Sequence, residues 1–320
     1  MKRFSLLLCC LLPWPTFAAP AEPVSLVFAG DIVLVGQPGK LIAEGHDPFE
    51  GVAGILRDAD IRVANLECVV AATGEPEDKI FTFRADPHTL PTLKRHFDAV
   101  SVANNHSGDF GRTAFAEMLG LLDHAGIARF GGGHDLAEAH KPLIVERKGL
   151  RIALLGYDEF MPRSFEADAD APGLAWSEDE QVVDDIRRAK SEYHADLVIP
   201  IMHWGWENER VSNARQKQLA HLMMEAGADA VIGGHPHVTQ DVEIYRGKPI
   251  VYSVGNFLID SLDNEAQTHG WIVKLDLAKD GVKAWRTYPV HLDAAGVPHL
   301  ASQEKAPCGS GAKVDACAMQ

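Results

Sequence analysis

The chain has 320 residues, 30 Lys and Arg against 45 Asp and Glu, a formal charge of -15 and 46% apolar residues. That balance excludes collagen-like, low-complexity and wholly disordered chains, and it leaves no basic face for sequence-independent nucleic-acid binding. An anionic ligand meets the same repulsion unless a local positive centre, such as bound metal, receives it.

The length admits two domains or one large α/β sandwich. Met1, Lys2 and Arg3 precede an apolar run from Phe4 to Leu12 and a small-residue stretch ending at Ala18-Ala19, the pattern of a cleaved signal peptide over residues 1–18. The run is too short for a membrane-spanning helix. Periplasmic or secreted location is therefore expected. Removing the leader leaves Cys68, Cys308 and Cys317. The simplest pairing in an oxidising compartment joins Cys308 to Cys317 in a C-terminal tail, residues 296–320, with Cys68 free and buried in the main domain, residues 19–295. A frayed tail with unpaired thiols is the alternative.

In chain order, Ser25–Ala29, Ile61–Ala64, Ala99–Ala103, Ile152–Leu155, Leu197–Met202 and Ala230–Ile232 read as strands. Between them Phe49–Arg57, His88–His96, Thr113–Ala125, Glu178–Tyr193 and Asn213–Ala226 carry apolar residues at helical spacing. The alternation predicts an α/β fold with helix-covered sheets. Tyr157–Asp179, acidic and with Pro162 and Pro172, reads as a long loop, either plainly solvated or overhanging a site. Gly131-Gly132-Gly133 reads as a turn. From Gln240 the closely spaced runs Val242–Tyr245, Ile250–Val254, Trp271–Leu277 and Val282–Val290 predict antiparallel hairpins building a second sheet.

Polar residues of metal-ligand type stand directly after the predicted strands: Asp31, Asn65 and Glu67, then Asn104-Asn105-His106 with Asp109, then His203 and Glu207, then His235 and His237. In an open α/β sheet the carboxyl ends of the strands share one edge, so these residues converge. Taken singly, Asp31 and the two asparagines serve equally as turn residues, and His203 as a satisfied core histidine. Glu67 is different, because a buried carboxylate without a partner is costly. The mixed oxygen and nitrogen donors suit Mn²⁺, Fe²⁺ or Zn²⁺, and six candidate ligands exceed the needs of one ion, so two divalent ions are expected, with Glu67 as the bridge. If the Gly233-to-His237 segment is extended, His235 and His237 share a face. Motifs for a nucleophilic serine, a P-loop or a dinucleotide fold are absent from the sequence.

The series Phe28-Ala29-Gly30-Asp31, Ala64-Asn65-Leu66-Glu67, Ala103-Asn104-Asn105-His106, His203-Trp204-Gly205, Gly234-His235-Pro236-His237 and Ser253-Val254-Gly255-Asn256-Phe257 resembles the bacterial capsule-synthesis CapA family, PgsA-like members of poly-γ-glutamate synthesis included. The family resembles calcineurin-like metallophosphoesterases in fold. The likeness runs from about Leu26 to Asp260 and implies a four-layer αββα sandwich with the site between its sheets. Carried over, Asp31, Glu67 and His237 would hold one ion, and Glu67, Asn105, His203 and His235 the other. His106 matches the general acid, with Asp109 to orient it, and Asn65, Asn104, Glu207 and Asn256 are left as candidate substrate contacts. Val33 stands where the phosphoesterases carry a further histidine. The resemblance implies a metal-dependent hydrolase, cleaving phosphoester or amide bonds, in the synthesis, release or attachment of an acidic envelope polymer, with a membrane synthase as a candidate partner. Alternatives are a non-catalytic scaffold that binds polymer or synthase and a general periplasmic phosphatase.

Overall fold

The computed structural model describes residues 22–311 and 313–318, so the expected leader lies outside the described residues. Two mixed sheets face one another. The ten-stranded sheet is built on four parallel neighbours, Val24–Ile32, Ile61–Leu66, Ala99–Ser101 and Ala128–Phe130. The six-stranded sheet is built on Leu150–Asp158, Leu197–His203, Val231–Gly234 and Lys248–Val251, also parallel.

Strand alternation sorts the side chains into layers. Leu26, Phe28, Ile61 and Val63 point at the other sheet, where they pack with Ile152, Leu154, Leu197, Ile199 and Ile232. Their neighbours Val27, Ala29, Ala64 and Val100 face outward, onto Phe115, Met118, Leu119 and Leu122 of the helix Gly111–Ala125. On the far side Ala153, Val198 and Met202 pack against Val182 and Ile186 of Asp179–Ser191 and Leu219 and Met223 of Ala214–Ala226. Each fully buried Leu, Ile or Phe contributes roughly 1.5–3 kcal/mol of apolar burial, so the central layer holds the two sheets in register. The expected four-layer αββα sandwich is the observed architecture.

The helix Ala214–Ala226 begins with a capping box, in which Asn213 accepts the Gln216 amide and Gln216 accepts the Asn213 amide. The helix Gly111–Ala125 stops at Gly126, whose φ of +69° suits glycine.

Two expectations need correction, and the expected Cys308–Cys317 pairing is borne out. The C-terminal hairpins do not form a sheet of their own. Val242–Tyr245 and Lys248–Val251 extend the six-stranded sheet, whereas His269–Ala278 and Gly281–Leu292 lie against Val24–Ile32 in the ten-stranded one. Each closes an edge that a parallel set would leave with unpaired backbone groups. Residues beyond 295 are no frayed tail, because Pro298–Leu300, Lys305–Gly309 and Asp315–Ala318 continue the ten-stranded sheet and a disulfide joins Cys308 to Cys317. Cys68 is free and buried. Finally, Gly132–Gly133 forms a short strand with Gly173–Leu174, which ties the Tyr157–Asp179 segment down over the sheet ends.

Candidate metal centre

The parallel strands of both sheets end at one crevice. The ten-stranded sheet brings Asp31 near the end of Val24–Ile32, Glu67 just after Ile61–Leu66, and Asn104, Asn105 and His106 in the turn after Ala99–Ser101. The six-stranded sheet brings His203, the last residue of Leu197–His203, and His235 and His237 just beyond Val231–Gly234. Glycines permit the approach. A Cβ on Gly234 would stand 3.1 Å from Asp31 Oδ1, and one on Gly30 would run into the Gly255 carbonyl oxygen.

The segment after Gly234 is not extended. His235 and His237 have φ values of +92° and +58°, backbone conformations that cost non-glycine residues on the order of 1–3 kcal/mol each. The two imidazoles are therefore aimed by a strained turn rather than by strand alternation. One result is the same: they go to different partners.

Glu67, His203 and His235 each offer a ligand atom, all within 4.8 Å of one another, and Asp31, Glu67 and His237 do likewise. Glu67 belongs to both groups. Asn105 joins the first, its Oδ1 2.7 Å from His203 Nε2, which also lies 3.3 Å from Glu67 Oε1 and 3.1 Å from His235 Nδ1. All six side chains expected as ligands thus meet at one place.

The electrostatics point the same way. Asp31, Glu67 and His235 are fully buried, yet Asp31 Oδ2, both Glu67 carboxylate oxygens and His235 Nε2 have no hydrogen-bond partner. Orphaned buried carboxylate oxygens carry a desolvation penalty that only a partner offsets. Burial, with Asp31 alongside, holds the Glu67 carboxyl well above its usual range, and burial keeps His203 and His235 well below theirs. Neutral imidazoles and unpaired carboxylates are the donors a divalent cation takes. The residues present fit two such ions.

Around these donors lies a shell of amides. Asn65 Nδ2 donates to Asp31 Oδ1 at 2.8 Å, its Oδ1 accepts from Asn104 Nδ2 at 3.0 Å, and Asn104 Nδ2 also reaches the Leu66 carbonyl. Asn256, opposite Asp31 in the strand register, accepts from His237 Nδ1 at 2.8 Å and donates to the Gln267 carbonyl. Asn65 and Asn256, expected to touch substrate, have their amides committed to protein partners instead. They hold Asp31 and His237 in place, the way outer hydrogen bonds steady metal-binding side chains. Glu207 is exposed on the loop after His203, and its charge adds to the repulsion felt by Glu67.

His106 Nδ1 lies 2.7 Å from the fully buried Asp109 Oδ2, which also accepts the Phe83 amide, while Lys79 binds Asp109 Oδ1. Phe83 packs its ring 4.5 Å from the imidazole. The dyad is held on three sides.

Beside the centre opens a cavity of about 400 Å³, lined by Lys79, Asn104, Asn105, Arg112, Asp158 and Phe160 among others. Phe160 and its neighbours belong to the Tyr157–Asp179 segment, which overhangs the site rather than lying free in solvent. Sequence reasoning missed Lys79, Arg112 and Asp158. The signal for Asp158 was present, since it ends a strand as His203 does.

The family described as bacterial capsule synthesis protein PGA_cap matches residues 25–261, which contain every donor named above. The chain belongs to this family. The PGA biosynthesis protein CapA of Bacillus subtilis (strain 168) is 31% identical over 287 residues, 86% of this chain and 73% of the relative. The capsule biosynthesis protein CapA of Bacillus anthracis is 28% identical over 249 residues, 75% of this chain and 60% of its own length. A hypothetical protein from Thermus thermophilus superposes with a TM-score of 0.51 at 18% identity, over 83% of this chain and 98% of that one, which shows a shared fold.

Proposed function

We propose that this PGA_cap member is an exported, metal-dependent hydrolase acting in the synthesis, release or attachment of an acidic capsule or envelope polymer. The observation that carries the reading is the set of four buried, partnerless donor atoms on Asp31, Glu67 and His235, gathered with His203 and His237 where the two sheets end. The names of the Bacillus relatives, a PGA and a capsule biosynthesis protein, suggest the polymer. The Cys308–Cys317 disulfide suits the oxidising compartment that the leader implies. A membrane synthase complex is the partner consistent with such a role.

Asp31, Glu67 and His237 would hold one ion and Glu67, Asn105, His203 and His235 the other. Divalent ions bound there supply Lewis-acid polarisation of the scissile centre and an activated water near neutral pH. His106 in its imidazolium form would donate a proton to the leaving group from Nε2, because the Asp109 carboxylate accepts its Nδ1–H and fixes the ring orientation. The Tyr157–Asp179 segment covers the cavity and limits access of water.

The test is metal analysis of protein purified without chelator, followed by hydrolysis assays on phosphoesters and γ-glutamyl amides with Mn²⁺, Fe²⁺ or Zn²⁺. Two equivalents of metal and turnover lost in His203→Ala and His235→Ala are expected. Absence of metal, or activity untouched by both substitutions, ends the reading. Val33, where phosphoesterases have a further ligand, favours a second reading, a non-catalytic polymer-binding scaffold. A scaffold keeps supporting polymer production when His106 is replaced, and a hydrolase does not.

A further inference from the structure

Asp158 closes the strand Leu150–Asp158 and stands directly opposite His203 in the register of the adjoining strand. It is 5% exposed and lines the cavity beside the metal centre. Its Oδ1 accepts the Phe160 amide at 3.1 Å. Among the described residues no side chain donates to its second oxygen, and no basic group forms an ion pair with it. Of the other acids around it, Glu159 is matched with Arg215, Asp109 with Lys79 and Glu166 with Arg163, while Glu77, also in the cavity wall, is exposed to solvent.

The basic groups of the cavity are committed elsewhere. Lys79 binds Asp109 and the Asn105 carbonyl, Arg163 binds Glu166 and Glu178, and Arg112 donates to the carbonyls of Ser164, Glu166 and Pro172. Even the aromatic faces are covered, Phe165 by Arg112 and Trp176 by Arg163. What remains is a carboxylate in the cavity wall, 5% exposed, with no ion pair of its own among the described residues. Such a group is stabilised most by a ligand that brings both a hydrogen-bond donor and a positive charge, since charge-assisted bonds are about twice as strong as neutral ones.

We propose that the cavity receives a protonated amine of the substrate and that Asp158 is the residue that binds it. This rests on the hydrolase reading and narrows its substrate class: the unit beside the scissile bond carries a free amino group, so cleavage proceeds at the amino end of a chain rather than at random along it. Asp158 supplies the position, and the neighbouring strand end places that position next to the centre.

The test compares two probes on the full mature chain loaded with Mn²⁺: a γ-glutamyl trimer with a free amino terminus and the same trimer N-acetylated, with affinities measured by calorimetry. At least a ten-fold preference for the free amine is expected, lost in Asp158→Asn and in Asp158→Ser and retained in Asp158→Glu, with metal stoichiometry unchanged. Equal affinities for the two trimers, or a preference that survives Asp158→Asn, overturn the assignment. If neither trimer binds while the loaded protein turns over a phosphoester, the amine site is wrong and the hydrolase stands. If the trimers are discriminated through Asp158 but nothing is hydrolysed, the amine site stands and the hydrolase fails.

Discussion

Replacing Glu67 by Gln should move metal binding and metal-free stability in opposite directions. In the folded chain the carboxylate is fully buried, and neither oxygen has a hydrogen-bond partner. Without metal it escapes the charge by taking up a proton. Burial, with Asp31 alongside, holds this carboxyl well above its usual range, so keeping it in the folded chain costs stability at neutral pH. Gln carries no such cost, although its buried amide forfeits about 1–3 kcal/mol if it too lacks partners. A net gain in metal-free stability is expected for Glu67→Gln in EDTA, which denaturant unfolding at pH 7 resolves. With divalent metal added the order inverts, because Glu67 serves both ligand groups and the substitution removes the stabilisation that bound ligand confers on the native state. Calorimetric metal titration should then find neither ion held as in the wild type. A variant that is no more stable in EDTA, or that still takes up two equivalents with undiminished affinity, refutes the argument that this carboxylate bridges two ions.

His237→Ala should remove one equivalent of metal and His235→Ala the other, because each imidazole belongs to one ligand group only; elemental analysis of the two variants should show one ion each. Asp109→Asn should lower kcat by about 10²–10⁴, the range that a positioned general acid contributes, with metal content unchanged. Burial raises Asp158 to about 7 against an ordinary 3.8, so the folded state holds a proton that the unfolded state releases between those values. Stability from this group is therefore greatest below about pH 4 and falls as pH rises toward 7. Measured without metal, the advantage of Asp158→Asn over wild type should grow by up to about 1.4 kcal/mol per pH unit across that window and level off above it, as the change in bound protons requires. A pH-independent difference contradicts this.

Much of the molecule was legible along the chain because its elements rest on local patterns. Leu26 and Phe28 alternate with Val27 and Ala29 at the period of a strand buried on both faces, and Asn213 with Gln216 announces a helix start. The helix Gly36–Ala43 was not legible, since Gly36, Pro38 and Gly39 read as turn residues. The donors could be found because each follows a strand, and strand ends of a parallel sheet share an edge whatever the loops do. Which of them suit a ligand's place was harder to see, since Asn65 and Asn256 carry the same polar chemistry as Asn105, and only the structure shows their carboxamides spent on Asp31, Asn104, His237 and the Gln267 carbonyl while Asn105 Oδ1 faces His203.

By itself the sequence determined the α/β class, the helix and strand segments of the central layers, and a set of chemically suitable side chains at strand ends. These follow from short-range periodicity and backbone preference. Only the tertiary structure decided which sheet each late hairpin joins, and that His235 and His237 reach their two ligand groups through left-handed backbone. It alone decided that Asp158 faces a cavity whose basic side chains are bound elsewhere. Each of these depends on contacts between residues far apart in the chain, on burial, and on which donors are already spent, quantities that exist only once the two sheets have packed together.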